Sequence, residues 1–123
     1  MSARRVLIVD DEPNIVASLE FLMRHNEFDV RSASSGAEAL EVAAVFRPHV
    51  VLLDVMLPQG SGFDVCRRMR ADPAHAGVRI VMLTARGRAD EQDLGRSLGA
   101  DAYVLKPFST REVVSTVREL MPR

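Results

Sequence analysis

The sequence predicts an α/β fold in which a doubly wound parallel sheet of five strands is covered by five helices. Short apolar runs alternate along the chain with longer segments whose apolar residues recur at helical spacing, a pattern typical of βαβ units. The runs at residues 6–9 and 50–53 are continuous rather than alternating, as expected for strands buried on both faces. The length of 123 residues fits one domain, and the chain has no repeat or linker.

The first half of the chain predicts three strands and two helices. Strand 1 covers about residues 4–9. Helix 1 begins near Pro13, which suits a first helical position because no backbone N–H is needed there. Strand 2, near residues 28–32, has the weaker apolar pattern of an edge strand. A Ser-x-x-Glu capping box at Ser35 opens helix 2, and strand 3 covers about residues 49–53.

A loop rich in Gly and Pro precedes the third helix. These residues, at positions 57–62, allow backbone angles that regular structure does not use. Helix 3 follows, with Phe63, Cys66 and Met69 on one side, and strand 4 covers about residues 78–83.

The last third of the chain predicts a weak helix, a strand and a well-capped helix. Helix 4 lies near residues 88–98 and contains Gly95, which costs roughly 1 kcal/mol relative to Ala in a helix interior. Strand 5 covers residues 102–105. A second capping box at Ser109 opens helix 5, which continues to about Leu120.

Polar residues stand directly after four of the apolar runs. They are Asp10 and Asp11 after strand 1, Asp54 after strand 3, Thr84 after strand 4 and Lys106 after strand 5. In an open parallel sheet, ligands bind beyond the carboxyl ends of the strands, which share one edge. The sequence therefore predicts that three carboxylates, a hydroxyl and an ammonium group converge on one site.

This set of groups suits a Mg²⁺ ion and a phosphoryl group. Carboxylate oxygens are ligands that Mg²⁺ prefers, and a bound cation would relieve the repulsion among crowded carboxylates. A carboxylate can also act as a nucleophile and form an aspartyl phosphate. Asp54 is the best candidate because it stands alone at the end of the central strand, and Lys106 and Thr84 would then contact phosphoryl oxygens.

Composition narrows the classes of partner. The net charge is −1 with no long basic stretch, which argues against general nucleic-acid binding. No apolar run reaches the ~20 residues of a membrane helix, and no secretory signal is present, so no membrane partner is expected. Cys66 is the single cysteine and cannot form an internal disulfide, which favours a cytoplasmic location.

The motifs, each after its strand, resemble those of a response-regulator receiver domain of the chemotaxis-regulator type. The segments that carry the resemblance are Val9-Asp10-Asp11-Glu12, Leu53-Asp54-Val55-Met56-Leu57-Pro58, Leu83-Thr84-Ala85, Gly99-Ala100-Asp101 and Lys106-Pro107-Phe108. The resemblance covers the whole chain and implies a flavodoxin-like strand order of 2-1-3-4-5. It also implies a single receiver domain over residues 1–123, with no output domain present.

The resemblance further implies how the site works. Asp54 would accept a phosphoryl group from a phosphohistidine on a sensor histidine kinase or a histidine phosphotransfer protein. Asp11, Asp54 and the backbone carbonyl of Met56 would bind Mg²⁺ directly, with Asp10 acting mainly through water. The Lys106–Pro107 bond matches a peptide bond that is cis in the family, which would aim the lysine at the site.

Two further pairs of residues match positions with regulatory roles in the family. Thr84 and Tyr103 match the pair that moves on activation, when the surface of helix 4, strand 5 and helix 5 is remodelled for a downstream protein target. Met56 and Arg86 match positions beside the path of attacking water. Neither of these two side chains is suited to positioning water, so we expect slow autodephosphorylation.

The expected oligomeric state is a monomer or a weak homodimer. In receivers of winged-helix transcription factors, ion pairs across helix 4, strand 5 and helix 5 build a dimer. The pattern is only partial here, since three of the matching positions are neutral and surface ion pairs contribute little individually. The neutral positions are Gln92, Ala102 and Thr116, whereas Asp101, Glu112 and Arg118 keep their charge.

Two other functions are compatible with the same residues. One is a phosphate-independent interaction module of receiver shape. The other is an Asp-nucleophile phosphatase of the haloacid-dehalogenase type, but Met56 stands where that family has its second Asp. The acids could also have a structural role alone, since Asp11 and Glu12 at a helix start complement the helix dipole.

Overall fold

The computed structural model, which describes residues 4–58, 60–85 and 89–122, confirms the predicted α/β fold. The strands of its five-stranded sheet are β1 (Arg5–Val9), β2 (Asp29–Ala33), β3 (Val50–Asp54), β4 (Arg79–Ala85) and β5 (Ala102–Lys106). The helices are α1 (Pro13–His25), α2 (Gly36–Phe46), α3 (Gly62–Ala71), α4 (Ala89–Ser97) and α5 (Thr110–Leu120). Within the described residues, none of the helices combines the length and apolar character needed to cross a membrane.

The strands are parallel and follow the order β2-β1-β3-β4-β5, so β2 is an edge strand as predicted. The order reverses between β1 and β3, because the chain passes to β2 on one side before it returns to β3 on the other. At such a reversal the two connections leave the sheet in opposite directions and open a crevice at the carboxyl ends of the strands.

The segment between β3 and α3 is more ordered than the sequence pattern indicates. Met56–Leu57 and Gly60–Ser61 pair as a two-residue antiparallel ladder, where the sequence predicted a loop. Each strand of this ladder has only two residues, which is too short for an alternating pattern to show in a Gly-rich segment. A short 3₁₀ helix at Pro73–His75 also precedes β4.

Both faces of the sheet are buried. Alternate residues of β1 and β3 belong to two separate clusters: Leu7 and Leu53 pack beneath α2 and α3, whereas Ile8 and Leu52 pack against α1 and α5. All five residues of β3 are buried. This burial explains the continuous apolar runs in the sequence.

Both predicted capping boxes contribute a hydroxyl cap. Ser35 Oγ accepts a hydrogen bond from the Glu38 N–H at 3.2 Å, and Ser109 Oγ accepts one from the Glu112 N–H at 3.0 Å. The Glu38 carboxylate bonds the N–H of Ser34 at 2.6 Å, one residue before the N-cap. Each serine thereby pairs one of the free N–H groups at its helix start.

One arginine fixes the turn between α4 and β5. Arg70 on α3 donates hydrogen bonds to the carbonyl oxygens of Gly99 at 2.9 Å and Val78 at 2.6 Å, and to the carboxylate of Asp101 at 2.6 Å. Asp101 also accepts the N–H of Ile80 at 2.8 Å. Gly99 has φ of 101°, a conformation that favours glycine. The motif Gly99-Ala100-Asp101 therefore anchors this turn to α3 and to β4.

A histidine at the opposite end of the sheet is held in its neutral form. His49 Nδ1 accepts a hydrogen bond from the Arg5 N–H at 2.9 Å, so this nitrogen cannot carry a proton. Burial, together with the positive charges of Arg5 and Arg4, lowers the pKa of His49 below its ordinary value.

We expect His49 to make the protein less stable as the pH falls below about 6.5, the ordinary pKa of histidine. The unfolded chain takes up a proton there, whereas the folded chain does so only at its lower pKa, so the loss accumulates between the two values. Chemical denaturation of the wild type and His49→Gln from about pH 5 to 8 tests this. The variant should lose this pH dependence, and His25→Gln on the exposed side of α1 should keep it. Equal pH profiles for the wild type and His49→Gln would contradict the prediction.

Candidate functional site

Three carboxylates from neighbouring strand ends meet at the crevice. Asp10 and Asp11 follow β1, Asp54 is the last residue of β3, and one oxygen of each lies within 4.8 Å of the others. The parallel register pairs Val9 with Leu53, so the strands themselves bring Asp10 level with Asp54. The structure thus brings together the acidic residues predicted from the sequence.

The three carboxylates differ in their exposure and their backbone contacts. Asp10 is fully buried and Asp54 is 4% exposed, whereas Asp11 is exposed to solvent. Asp10 Oδ1 accepts the Glu12 N–H at 2.9 Å, and Asp54 Oδ1 accepts the Met56 N–H at 3.1 Å. In both buried carboxylates, a backbone N–H two residues later therefore orients one oxygen.

Lys106 contacts the other oxygen of each buried carboxylate. Its Nζ lies 3.2 Å from Asp10 Oδ2 and 3.4 Å from Asp54 Oδ2, and the Lys106–Pro107 peptide bond that follows is cis. Burial opposes the charge on the ammonium group, but the carboxylates of Asp54 and Asp10 outweigh it and raise the pKa of Lys106. The lysine is thus held in its charged form.

One ammonium group does not fully compensate the two buried acids. Burial raises the pKa of Asp54, the Met56 N–H opposes that shift, and the negative charge of Asp10 adds to it. Lys106 also stabilises the Asp54 carboxylate, but the pKa remains above its ordinary value. Lys106 alone therefore does not offset the burial of the Asp54 carboxyl group and the charge of Asp10.

The residues present fit a divalent cation. Three carboxylates and one ammonium group carry a formal net charge of −2, which a divalent cation would neutralise. All three acids offer the oxygen ligands that Mg²⁺ prefers, and exposed Asp11 leaves the cluster open to solvent. In the described part of the chain, this is the one group of three or more potential ligands with such spacing.

Thr84 lies at the same sheet edge. Its neighbour Leu83 pairs with Asp54, and Thr84 itself pairs with Leu105, the residue before Lys106. The Thr84 hydroxyl is buried without a hydrogen-bond partner among the described residues. A buried hydroxyl in that state has a donor available for an acceptor brought into the site.

The other predicted site residues, Tyr103, Met56 and Arg86, differ in their surroundings and in whether the structure describes them. The Tyr103 hydroxyl, like that of Thr84, is buried and has no partner among the described residues. Met56 lies beside the cluster with its side chain 72% exposed, and its N–H binds Asp54. Arg86 lies outside the described residues.

Sequence reasoning missed the role of Gly62. A Cβ atom there would overlap the carbonyl group of Asp54, lying 2.9 Å from its carbon, and would lie 3.0 Å from Val55 Cα. The Gly62 N–H also donates to the Val55 carbonyl at 2.8 Å. Gly62 therefore lets the start of α3 pack directly on the backbone that carries Asp54. The signal in the sequence was a glycine just after a Ser N-cap, where a side chain is ordinarily tolerated.

Comparisons with known proteins agree with this geometry. The family model described as response regulator receiver domain matches residues 6–118. The chain is 44% identical over 120 residues to "DNA-binding response regulator MtrA" of Mycolicibacterium smegmatis, a match that covers 98% of this chain and 51% of that protein. It is 41% identical to the Bacillus subtilis alkaline phosphatase synthesis transcriptional regulatory protein PhoP, of which it covers 49%. The chain thus spans about half the length of the curated relatives it matches.

Solved structures of response regulators and receiver domains also resemble this chain. A putative response regulator from Chloroflexus aurantiacus is 35% identical, with a TM-score of 0.92 over 97% of this chain and 98% of that one. The receiver domain of a Pseudomonas aeruginosa sensor histidine kinase is 25% identical, with a TM-score of 0.87 over 97% and 98% of the chains. Its crystal structure has a magnesium ion coordinated in the active site cleft.

The expectation that no nucleic acid takes part is wrong, because a 44% identical relative is a DNA-binding response regulator. The net charge of −1 counts only these 123 residues. That value carries no information about the half of each relative that lies outside the match. Electrostatic exclusion of nucleic acid applies only to the residues whose charges are counted.

We expect Gly62→Ala to destabilise the protein by about 1–3 kcal/mol, since the added methyl group overlaps the backbone of β3, which cannot yield easily. Urea denaturation measures the loss. Gly77→Ala is the matched control: a Cβ at Gly77 meets nothing within 4 Å, so its effect should stay within about 0.5 kcal/mol. Similar losses in the two variants would show that the contact with Asp54 is not tight.

Proposed function

Because this chain belongs to the family of response regulator receiver domains, we propose that Asp54 accepts a phosphoryl group from a phosphohistidine of a partner kinase or phosphotransfer protein. The observation that supports this most directly is the Lys106 ammonium group, which lies between Asp54 and Asp10 with Asp11 close by. An acid in such a setting has a cation to stabilise an added phosphoryl group and neighbouring acids to hold a metal.

The transfer exchanges one bond of phosphorus for another. A carboxylate oxygen of Asp54 forms a bond to phosphorus while the bond between phosphorus and the donor imidazole nitrogen breaks, and the electron pair of that bond stays with the imidazole. Lys106 stabilises the charge of the phosphoryl oxygens. The buried Thr84 hydroxyl, which lacks a partner in the described structure, donates to one of them.

Asp11, Asp54 and the Met56 carbonyl would hold Mg²⁺, with Asp10 acting mainly through water. When bound, the ion supplies positive charge to the phosphoryl oxygens. The residues fit this role because their net charge is negative and their donors are oxygens. The magnesium ion in the active site cleft of the Pseudomonas receiver domain supports a magnesium site in this cleft.

Phosphorylation would act as a switch on α4, β5 and α5. A phosphoryl group adds about two negative charges and strong acceptors, which can draw the Thr84 hydroxyl toward it. Such a group biases an existing equilibrium between conformations. The α4 segment responds most readily, because Gly95 weakens it and it lies just after Thr84 in the chain.

The sequence relatives support a role in controlling DNA binding, and the single cysteine favours a cytoplasmic location for that role. The name of the M. smegmatis relative specifies DNA binding, and 44% identity covers nearly all of this chain. In this proposal the receiver is a signalling domain rather than an enzyme, and its own turnover is limited to slow loss of the phosphoryl group. Hydrolysis of p-nitrophenyl phosphate would instead favour the phosphatase alternative.

We expect acetyl phosphate with Mg²⁺ to add one phosphoryl group to the wild type, as seen by intact-mass spectrometry. Asp54→Asn should abolish the addition, because an amide is not a nucleophile for this reaction, and EDTA should suppress it in the wild type. Asp64→Asn is the matched control, since this acid lies on α3 in ion pairs with Arg67 and Arg68. Full labelling of Asp54→Asn would refute the assignment of the phosphoryl acceptor.

The lifetime of the phosphoryl group should depend on residues 56 and 86. We expect Met56→Asn combined with Arg86→Glu to speed dephosphorylation several-fold, because both new side chains can position water. Loss of the added mass with time measures the rate. An unchanged rate would refute the assignment of these two positions.

A further inference from the structure

The ring of Tyr103 on β5 packs against the backbone of α4 at Gly95. Gly95 is buried in the last turn of that helix. The three atoms nearest to a Cβ built on Gly95 all belong to Tyr103: the hydroxyl oxygen, which it would overlap, and ring carbons at 3.0 and 3.1 Å. A methyl group at position 95 and the present position of the ring therefore exclude each other.

Among the described residues, packing and not a hydrogen bond holds the Tyr103 ring in place. Its hydroxyl is buried and has no partner among the described residues. The guanidinium group of Arg96 lies over the ring, with its carbon 5.2 Å from the ring centre. Burial raises the pKa of the phenol and the charge of Arg96 opposes that shift. An unpaired buried hydroxyl is costly, so packing on α4 and the contact with Arg96 must offset that cost.

We propose that Gly95 is a positioning residue for Tyr103: by having no side chain, it provides the space on α4 that the hydroxyl end of the ring occupies. This accounts for a glycine inside a helix, where its intrinsic propensity is poor. Replacing it with alanine removes the space and expels the ring from α4. The helix and the ring are then coupled, since α4 cannot move closer to β5 at this contact unless the ring moves away.

The consequence for signalling rests on the proposed function. If the inward ring belongs to the phosphorylated conformation, a variant that expels the ring lowers the population of that conformation. A ligand that binds one conformation has its apparent affinity reduced by the fraction of protein in that conformation. Gly95→Ala should therefore weaken the binding of beryllofluoride with Mg²⁺ several-fold.

The protein offers a direct probe of the ring, because Tyr103 is its single tyrosine and it has no tryptophan. In the absence of Mg²⁺ and beryllofluoride, Gly95→Ala should increase acrylamide quenching of tyrosine fluorescence. It should also lower the phenol pKa toward its ordinary value of about 10 in a spectroscopic titration. Gly77→Ala, where the added methyl group meets no atom, should change neither. Quenching and titration identical in Gly95→Ala and the wild type would overturn the proposal.

A stability comparison covers the case in which Gly95→Ala folds poorly. In the wild-type background the substitution should lower the urea midpoint, because the methyl group meets the ring. In a Tyr103→Leu background it should raise the midpoint, because alanine favours the helix and the ring is absent. Rescue of folding by Tyr103→Leu would likewise support the proposal. The same drop in both backgrounds, or failure of both to fold, would overturn it by showing that something other than Tyr103 excludes the methyl group.

Beryllofluoride binding separates this inference from the proposed function. Failure of the wild type to bind it with Mg²⁺ would contradict the proposed function, while the quenching result would still decide the role of Gly95. Expulsion of the ring with unchanged beryllofluoride affinity would overturn the coupling between Gly95 and the switch.

Discussion

The arrangement of Lys106 between the carboxylates of Asp10 and Asp54 is the constraint on which the rest of the structure depends. Two buried acids side by side are costly unless they are paired, and each ammonium contact reduces that cost. One ammonium group cannot satisfy both acids and Asp11 as well. The fold thus maintains a deficit of positive charge at the carboxyl ends of β1 and β3, and this deficit makes the site suited to a divalent cation and a phosphoryl group.

Backbone contacts hold Asp10 and Asp54, which form the acidic side of the site, in place. The N–H groups of Glu12 and Met56 each orient a carboxylate, and Gly62 packs the start of α3 on the end of β3. These contacts leave little freedom to the two buried acids. Preorganised groups of this kind stabilise developing charge without having to rearrange when a phosphoryl group arrives.

The opposite side of the site is held less firmly. The hydroxyls of Thr84 and Tyr103 are both buried without partners in the described structure, and the Tyr103 ring depends on the space left by Gly95. Farther along the chain, Arg70 anchors the turn after α4 through Gly99 and Asp101. A firm acidic side, a fixed turn and, between them, a helix that packs on an unpaired tyrosine are parts that suit a switch, because the bound group can then alter one element and leave the rest in place.

The sequence by itself determined the α/β class, the order of the elements, both capping boxes and the acidic cluster. Those features depend on local periodicity and on the rule that parallel strands present their carboxyl ends at one edge. Only the tertiary structure decided that Asp10 and Asp54 contact the same lysine and that Gly62 and Gly95 pack tightly against other elements. Lys106 and Asp10 are 96 residues apart, and Tyr103 reaches Gly95 from a different element, so their contacts depend on how helices pack on the sheet. Composition alone also led to the wrong conclusion about nucleic acid. The net charge describes only the residues that are counted. A contact between residues far apart in the sequence, such as that of Lys106 with Asp10, forms only when the chain folds.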